Sequence, residues 1–243
     1  MFKKAICLLV SAASLFALCS CDTGSNNNED ETATKQADEF KSFVISKDNT
    51  NLIERGEDIP VGGSETYCML KYDGKHYIVQ QLESGNFDAL YELGENDTVL
   101  NDATARAGGR YIYFTADNAL KAYFIATKSV LDIVNAPCSN FITLDIPESF
   151  ELYPYGFIAT ATEICVVDLG SASLSSYTKS LNDMKAYIDA PEKLIGTDIR
   201  TTLSAHSKTS VRLTVETLKS NGEVKQAEEI LFTPLLGVFK KAN

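Results

Sequence analysis

The stretch Gly108-Gly109-Arg110-Tyr111-Ile112-Tyr113-Phe114-Thr115-Ala116-Asp117-Asn118-Ala119-Leu120-Lys121-Ala122-Tyr123-Phe124-Ile125-Ala126-Thr127-Lys128 decides the reading of the fold. A glycine pair, free to turn because neither residue carries a Cβ, precedes a run of aromatic and β-branched residues. Ala116-Asp117-Asn118 interrupts the run as a turn, and a second apolar run follows over residues 119–125. Val130-Leu131-Asp132-Ile133-Val134 supplies a third. Strand, tight turn, strand, polar turn, strand is an antiparallel meander rather than a helical pattern.

The pattern recurs. Tyr155-Gly156-Phe157-Ile158-Ala159-Thr160 is followed by Glu163-Ile164-Cys165-Val166-Val167-Asp168-Leu169 and then by residues 173–177. Tyr72-Asp73-Gly74-Lys75-His76-Tyr77-Ile78-Val79 opens an earlier copy, with Leu90-Tyr91-Glu92-Leu93 as its second strand. On this reading Gly74, Gly109 and Gly156, spaced 35 and 47 residues apart, are equivalent turn glycines. Ile78, Ile112 and Ile158 are then equivalent buried positions. Repeats of this size, built from several antiparallel strands, suggest propeller blades.

These segments are similar to the blades of bacterial quinoprotein- or surface-layer-type β-propellers, in which GxYIYxT…LxxYxIATxxV units recur. The similarity covers roughly residues 65–180 and carries no catalytic motif. It implies an all-β domain over residues 40–243 holding a small propeller-like array of about four or five blades. The alternative is a β-sandwich or an open barrel of hairpins, since glycine turns and aromatic strands occur in any β protein.

Elsewhere, Val211, Leu213 and Val215 alternate with Arg212, Thr214 and Glu216 as in a half-buried strand. Asn221-Gly222 predicts a tight hairpin turn into a partner strand over residues 224–232. Leu181, Met184 and Ile188, with Ser180 before and Pro191 after, read as a short helix or an irregular loop. Glu54, Glu57 and Asp58 read as a charged loop.

The 243 residues are 44% hydrophobic and 23% charged, which excludes collagen-like and wholly disordered chains and leaves ample material for a core. Asp+Glu number 33 against 22 Lys+Arg, a net charge of −11, so the chain lacks the basic footprint of a nucleic-acid binder.

The N-terminus carries an address. Lys3 and Lys4 precede the uncharged apolar run of residues 5–18, shorter than the about 20 residues a spanning helix needs. It reads as the core of a secretory signal over residues 1–20. Leu18-Cys19-Ser20-Cys21 then resembles a bacterial lipobox. The resemblance implies lipidation of Cys21, cleavage before it and acylation of the new amine, with palmitate among the usual chains. Cys19 would put Leu18 where a small residue is wanted, so Cys21 fits better. Residues 21–39 hold scarcely any apolar side chain and read as a flexible acidic tether. The implied location is the bacterial cell envelope, on the outer membrane or the periplasmic face of the inner membrane.

Chemistry is sparse. His76 and His206 lack neighbouring metal ligands; His76 reads as a solvated hairpin residue and His206 as part of a polar loop. Asn96-Asp97 with Asn101-Asp102 reads as a surface loop rather than a Ca2+ site. Cys68, Cys138 and Cys165 lie in the body without CxxC spacing, and Cys68 and Cys165 read as small buried hydrophobes. No nucleophile elbow or phosphate-binding glycine loop appears, and no catalytic residue, metal or cofactor is assigned. Tyr153-Pro154-Tyr155 is the best candidate for an exposed aromatic ligand-binding cluster. The functional expectation is a lipid-anchored envelope protein that binds or scaffolds an unidentified partner protein or glycan. An envelope hydrolase using dispersed carboxylates is the alternative.

Overall fold

The computed structural model describes residues 40–187 and 193–242. They form four successive antiparallel sheets. Sheet I contains β1 (Phe43–Ile45), β2 (Ile53–Ile59), β3 (Thr66–Tyr72), β4 (Lys75–Gln81) and β5 (Phe87–Leu93), with β1 added to the free edge of β5. Sheet II holds β6 (Thr98–Val99), β7 (Tyr111–Ala116), β8 (Ala119–Phe124) and β9 (Ser129–Val134), with helix α1 (Asn101–Arg106) between β6 and β7. Sheet III holds β10 (Ile142–Thr143), β11 (Tyr155–Ala159), β12 (Glu163–Asp168) and β13 (Ser173–Leu174), and β14 (Lys179–Ser180) also pairs with β12. The one-turn helix α2 (Leu181–Met184) leads on to sheet IV: β15 (Ile199–Ser207), β16 (Ser210–Leu218), β17 (Val224–Thr233) and β18 (Val238–Lys241).

Sheets I to III are built on one four-strand template with a period of 44 residues, whose first strands are β2, β6 and β10; β1 lies outside it. Their central turns are Asp73-Gly74, Asp117-Asn118 and Ala161-Thr162. In the first two turns both residues have positive φ, the twist a two-residue hairpin needs. In the third, Thr160 Oγ1 accepts the N–H groups of Thr162 and Glu163 and holds the corner instead. Counted from these turns, Tyr67, Tyr111 and Tyr155 are equivalent. So are Leu70, Phe114 and Ile158 on the second strands and Ile78, Ala122 and Val166 on the third strands, all six buried.

The turn before the fourth strand repeats as well: Gly85, Lys128 and Ala172 all have positive φ. In each case the hydroxyl of the residue before it reaches the residue after it: Ser84 accepts from the Asn86 N–H, Thr127 bonds Ser129 and Ser171 bonds Ser173.

This period corrects the glycine spacing expected from sequence. Gly109 lies in the loop ahead of β7, where an added Cβ would stand 3.0 Å from the Val61 carbonyl oxygen. Gly156 lies inside β11, where a Cβ would collide with the Phe141 ring. Neither occupies the turn that Gly74 makes. Ile78, Ile112 and Ile158 are all fully buried and in three different sheets, but Ile78 is on a third strand and faces the following sheet. The true counterpart of Ile158 in sheet I is Leu70.

Phe40–Asn243 forms one compact unit, and its cores lie between consecutive sheets. Tyr67 and Ile78 of sheet I meet Ile112, Phe114 and Tyr123 of sheet II. Tyr113, Leu120 and Ala122 of sheet II meet Ile158, Cys165 and Val167 of sheet III. Phe157, Ile164 and Val166 of sheet III meet Leu203, Leu213, Ile230 and Phe232 of sheet IV. A fourth cluster, Cys68, Leu70, Tyr77 and Val79 with Ile45, lies on the other face of sheet I. Among the described residues no sheet closes into a barrel. Three cores between four sheets also differ from the single shared core of a two-sheet sandwich.

Some local expectations change. Glu54, Glu57 and Asp58 belong to strand β2, bulged between Arg55 and Asp58 where Gly56 rides over Met69. Asn101-Asp102 opens α1, and His206 lies on β15. At Asn221-Gly222 only the glycine has positive φ, and residues 219–223 form a longer, bulged connection. Leu181 and Met184 are buried on α2, whereas Ile188 and Pro191 lie outside the described residues.

Leu70→Ala, Phe114→Ala and Ile158→Ala should each lower the unfolding free energy by about 2–5 kcal/mol in urea titrations. Lys75→Ala, which removes an exposed ion pair with Glu92, should stay within about 0.5 kcal/mol of wild type.

Candidate functional site

The first strands of sheets I to III fall on the same 44-residue period: Glu54 in β2, Thr98 in β6 and Ile142 in β10. Three clefts border this row. The first, about 320 Å³, lies over the β2 bulge and includes Met69, His76 and Asn101. The second, about 170 Å³, lies between the start of α1 and residues 141–143. The third, about 390 Å³, lies between β6, the Asp117-Asn118 turn and residues 138–141. Asn101 borders the first and second clefts, and Phe141 the second and third.

The lining of the first cleft includes Glu54, Arg55, Glu57 and Lys71, and both cations are paired. Lys71 Nζ lies 3.3 Å from Glu54, and Arg55 pairs with Asp58. Exposed pairs of this kind contribute little to stability.

Two residues that line the second cleft, Asp102 and Thr143, belong to a clamp beside it. Arg106, at the end of α1, stacks its guanidinium 4.8 Å from the centre of the Tyr153 ring and donates to the Tyr153 carbonyl oxygen. It also pairs with Asp102 at 3.5 Å, and Asp102 accepts the Thr143 hydroxyl. Thr104 anchors the other side of α1 by accepting the Tyr113 N–H. The clamp fastens α1 of sheet II to sheet III.

The third cleft is held by backbone-like contacts. The Asn140 side-chain amide donates to the Leu203 carbonyl and accepts the Leu203 N–H, both at 2.8 Å, joining sheet III to sheet IV. One sheet earlier, Ser139 does the corresponding work on Ala159: its N–H donates to the Ala159 carbonyl and its Oγ accepts the Ala159 N–H.

The two tyrosines expected to form an exposed pair are both half-buried. Tyr153 lies under Arg106, and Tyr155 meets Tyr177 edge-on with centroids 5.8 Å apart. Neither borders the three clefts. Cys21 lies outside the described residues. His76 is exposed at the start of β4, and exposed His206 meets Arg212 at 3.2 Å. Among the described residues no group of His, Cys, Asp and Glu is placed to hold a metal ion. No described helix is long and apolar enough to cross a membrane.

Sequence reading missed the row because β6 and β10 are only two residues long and carry no alternation to detect. The recurring Tyr67, Tyr111 and Tyr155 are the signal that fixes the period and would have found it.

Burial sets the chemistry of the thiols. Desolvation pushes Cys138 up to about 11 and Cys165 to about 12, with Glu163 adding to the latter, and it raises Cys68 as well. All three remain protonated thiols at neutral pH. No protein-family model and no curated protein sequence matches the chain.

A thiol raised in the folded state makes stability fall with rising pH, because only the unfolded chain releases the proton. For Cys138 the loss begins near the ordinary thiol value of 9.0 and continues to about 11. The melting temperature should therefore fall across that range, and Cys138→Ala should flatten part of the fall relative to its own value at pH 8.

Proposed function

We propose that the chain is an exported, lipid-anchored protein of the bacterial cell envelope. Its body is a small, open, propeller-like array that binds a partner protein or glycan along the row of first strands. The anchor reading is supported by the register of Leu18-Cys19-Ser20-Cys21 behind a basic and then apolar leader. Two or three acyl chains at Cys21 would hold the protein at a membrane without a spanning helix. The propeller-like reading is supported by three successive four-strand meanders of 44-residue period that meet face to face in chain order. A single observation carries the binding face: three clefts border the aligned first strands, and neighbouring ones share Asn101 and Phe141. Fold alone does not assign the partner.

In cells, the wild-type chain should carry acyl mass on Cys21 and enter the detergent phase in a phase-separation assay, while Cys21→Ser should enter the aqueous phase. A photo-crosslinker at Asn101, in the row, should trap a partner or glycan that one at Thr202, on the polar face of sheet IV, does not. Absence of acyl mass on wild type rejects the anchor. Adducts from Thr202 alone reject the binding face.

A further inference from the structure

Two side chains in the third cleft make no hydrogen bond with another described residue. Asn118 sits at the second position of the central turn of sheet II, with φ of 60°. The equivalent position in sheet I is Gly74, so the turn does not require an amide. Asn118 nevertheless presents one to the cleft, without a hydrogen-bond partner among the described residues. Asn96 is the counterpart of Asn140, 44 residues earlier in the repeat. Asn140 spends its amide on Leu203, but the matching backbone groups of Ala159 are already taken by Ser139. Asn96 therefore borders the same cleft with its amide uncommitted among the described residues.

Phe141 borders the same cleft. Its equivalent in sheet II is Asp97, whose carboxylate accepts the N–H of Gly94 in its own loop and that of Asp117 in the central turn. In sheet III the acid is replaced by a ring, and Gly156 stands where sheet II has Ile112, leaving the space that the ring occupies. The ring is half-buried and borders clefts on two sides. Thr98 and Thr115 add hydroxyls, and among the described residues no charged side chain lines the cleft. Its volume of about 390 Å³ falls within the small-molecule range of roughly 300–1,000 Å³.

We infer that this cleft is a subsite for a neutral carbohydrate. The inference rests on reading the row of first strands as the binding face. Each sugar hydroxyl both donates and accepts, as a primary amide does, so Asn96 and Asn118 can each meet a pair of neighbouring hydroxyls. An aromatic ring offers a flat apolar surface to the C–H face of a pyranose. A cleft without charge, on a chain of net charge −11, selects against anionic sugars.

The test uses the full chain in a non-glycosidic detergent, titrated calorimetrically with cellotriose, maltotriose, chitotriose and, as the anionic comparison, trigalacturonate. At least one neutral trisaccharide should bind with a dissociation constant of about 1 mM or tighter, and trigalacturonate should not. Asn118→Gly preserves the turn by making it Asp-Gly like its counterpart, and Asn96→Ala alters an exposed side chain; each should weaken binding about tenfold. Phe141→Leu keeps an apolar group over Gly156 and should weaken binding similarly. Failure of every neutral sugar up to about 10 mM overturns the subsite, as does binding that survives all three substitutions or equal binding of trigalacturonate. Crosslinks from Asn101 without sugar binding overturn the subsite and leave the binding face standing. Loss of both signals overturns both.

Discussion

Where sheets II and III meet, Tyr113, Leu120 and Ala122 press against Ile158, Cys165 and Val167, and the Tyr113 hydroxyl donates to the Leu169 carbonyl at 3.0 Å. That contact constrains both sheets to be apolar on two faces at once, because each also packs against an outer neighbour. Consecutive residues on one strand then serve different cores: Tyr111 and Tyr113 face sheet III, while Ile112 and Phe114 face sheet I. A polar residue at any of these positions would be buried without water, so little variation is open to them. The helix α1 and the row of clefts are positioned by this stack, since Thr104 is tied to Tyr113 and Arg106 to Tyr153.

The same constraint explains how much of the fold could be read from sequence. Uninterrupted runs such as Tyr111-Ile112-Tyr113-Phe114 and Ile164-Cys165-Val166-Val167 come from sheets covered on both sides, and they identify strands without revealing which residue faces where. The alternation in β16 comes from sheet IV, buried on one face only, and there the inward residues Val211, Leu213 and Val215 were legible. All-β character and the hairpins at Asp73-Gly74 and Asp117-Asn118 followed from local chemistry. The period did not, because the same corner is turned by Asp-Gly, by Asp-Asn and by Ala-Thr braced with Thr160, so glycine is a poor marker of it. β2 was hidden by its acids: a bulged strand at the sheet edge tolerates Glu54, Glu57 and Asp58 as readily as a loop does.

The candidate site arises where the copies of the template differ. Sheet II has Asp97 and Ile112 where sheet III has Phe141 and Gly156, and Asn140 is committed while Asn96 is not. Such exchanges are invisible until the sheets are aligned on their turns, which is why Tyr153 and Tyr155 drew attention by local sequence while Phe141 did not. Tyr155 holds the same place as Tyr67 and Tyr111, all close to the core, and Tyr153 supports Arg106. Both are half-buried and make packing contacts.

Native-state hydrogen exchange, residue by residue, tests the two-faced stack most directly. Amides of β7, β8, β11 and β12 should exchange only through global unfolding and share one free energy, with β1 and the outer strands β9 and β13 opening at lower cost. If the amides of Phe114, Ala122, Ile158 and Val166 exchange by local opening while sheet IV stays protected, the stack of sheets II and III is not what the structure rests on.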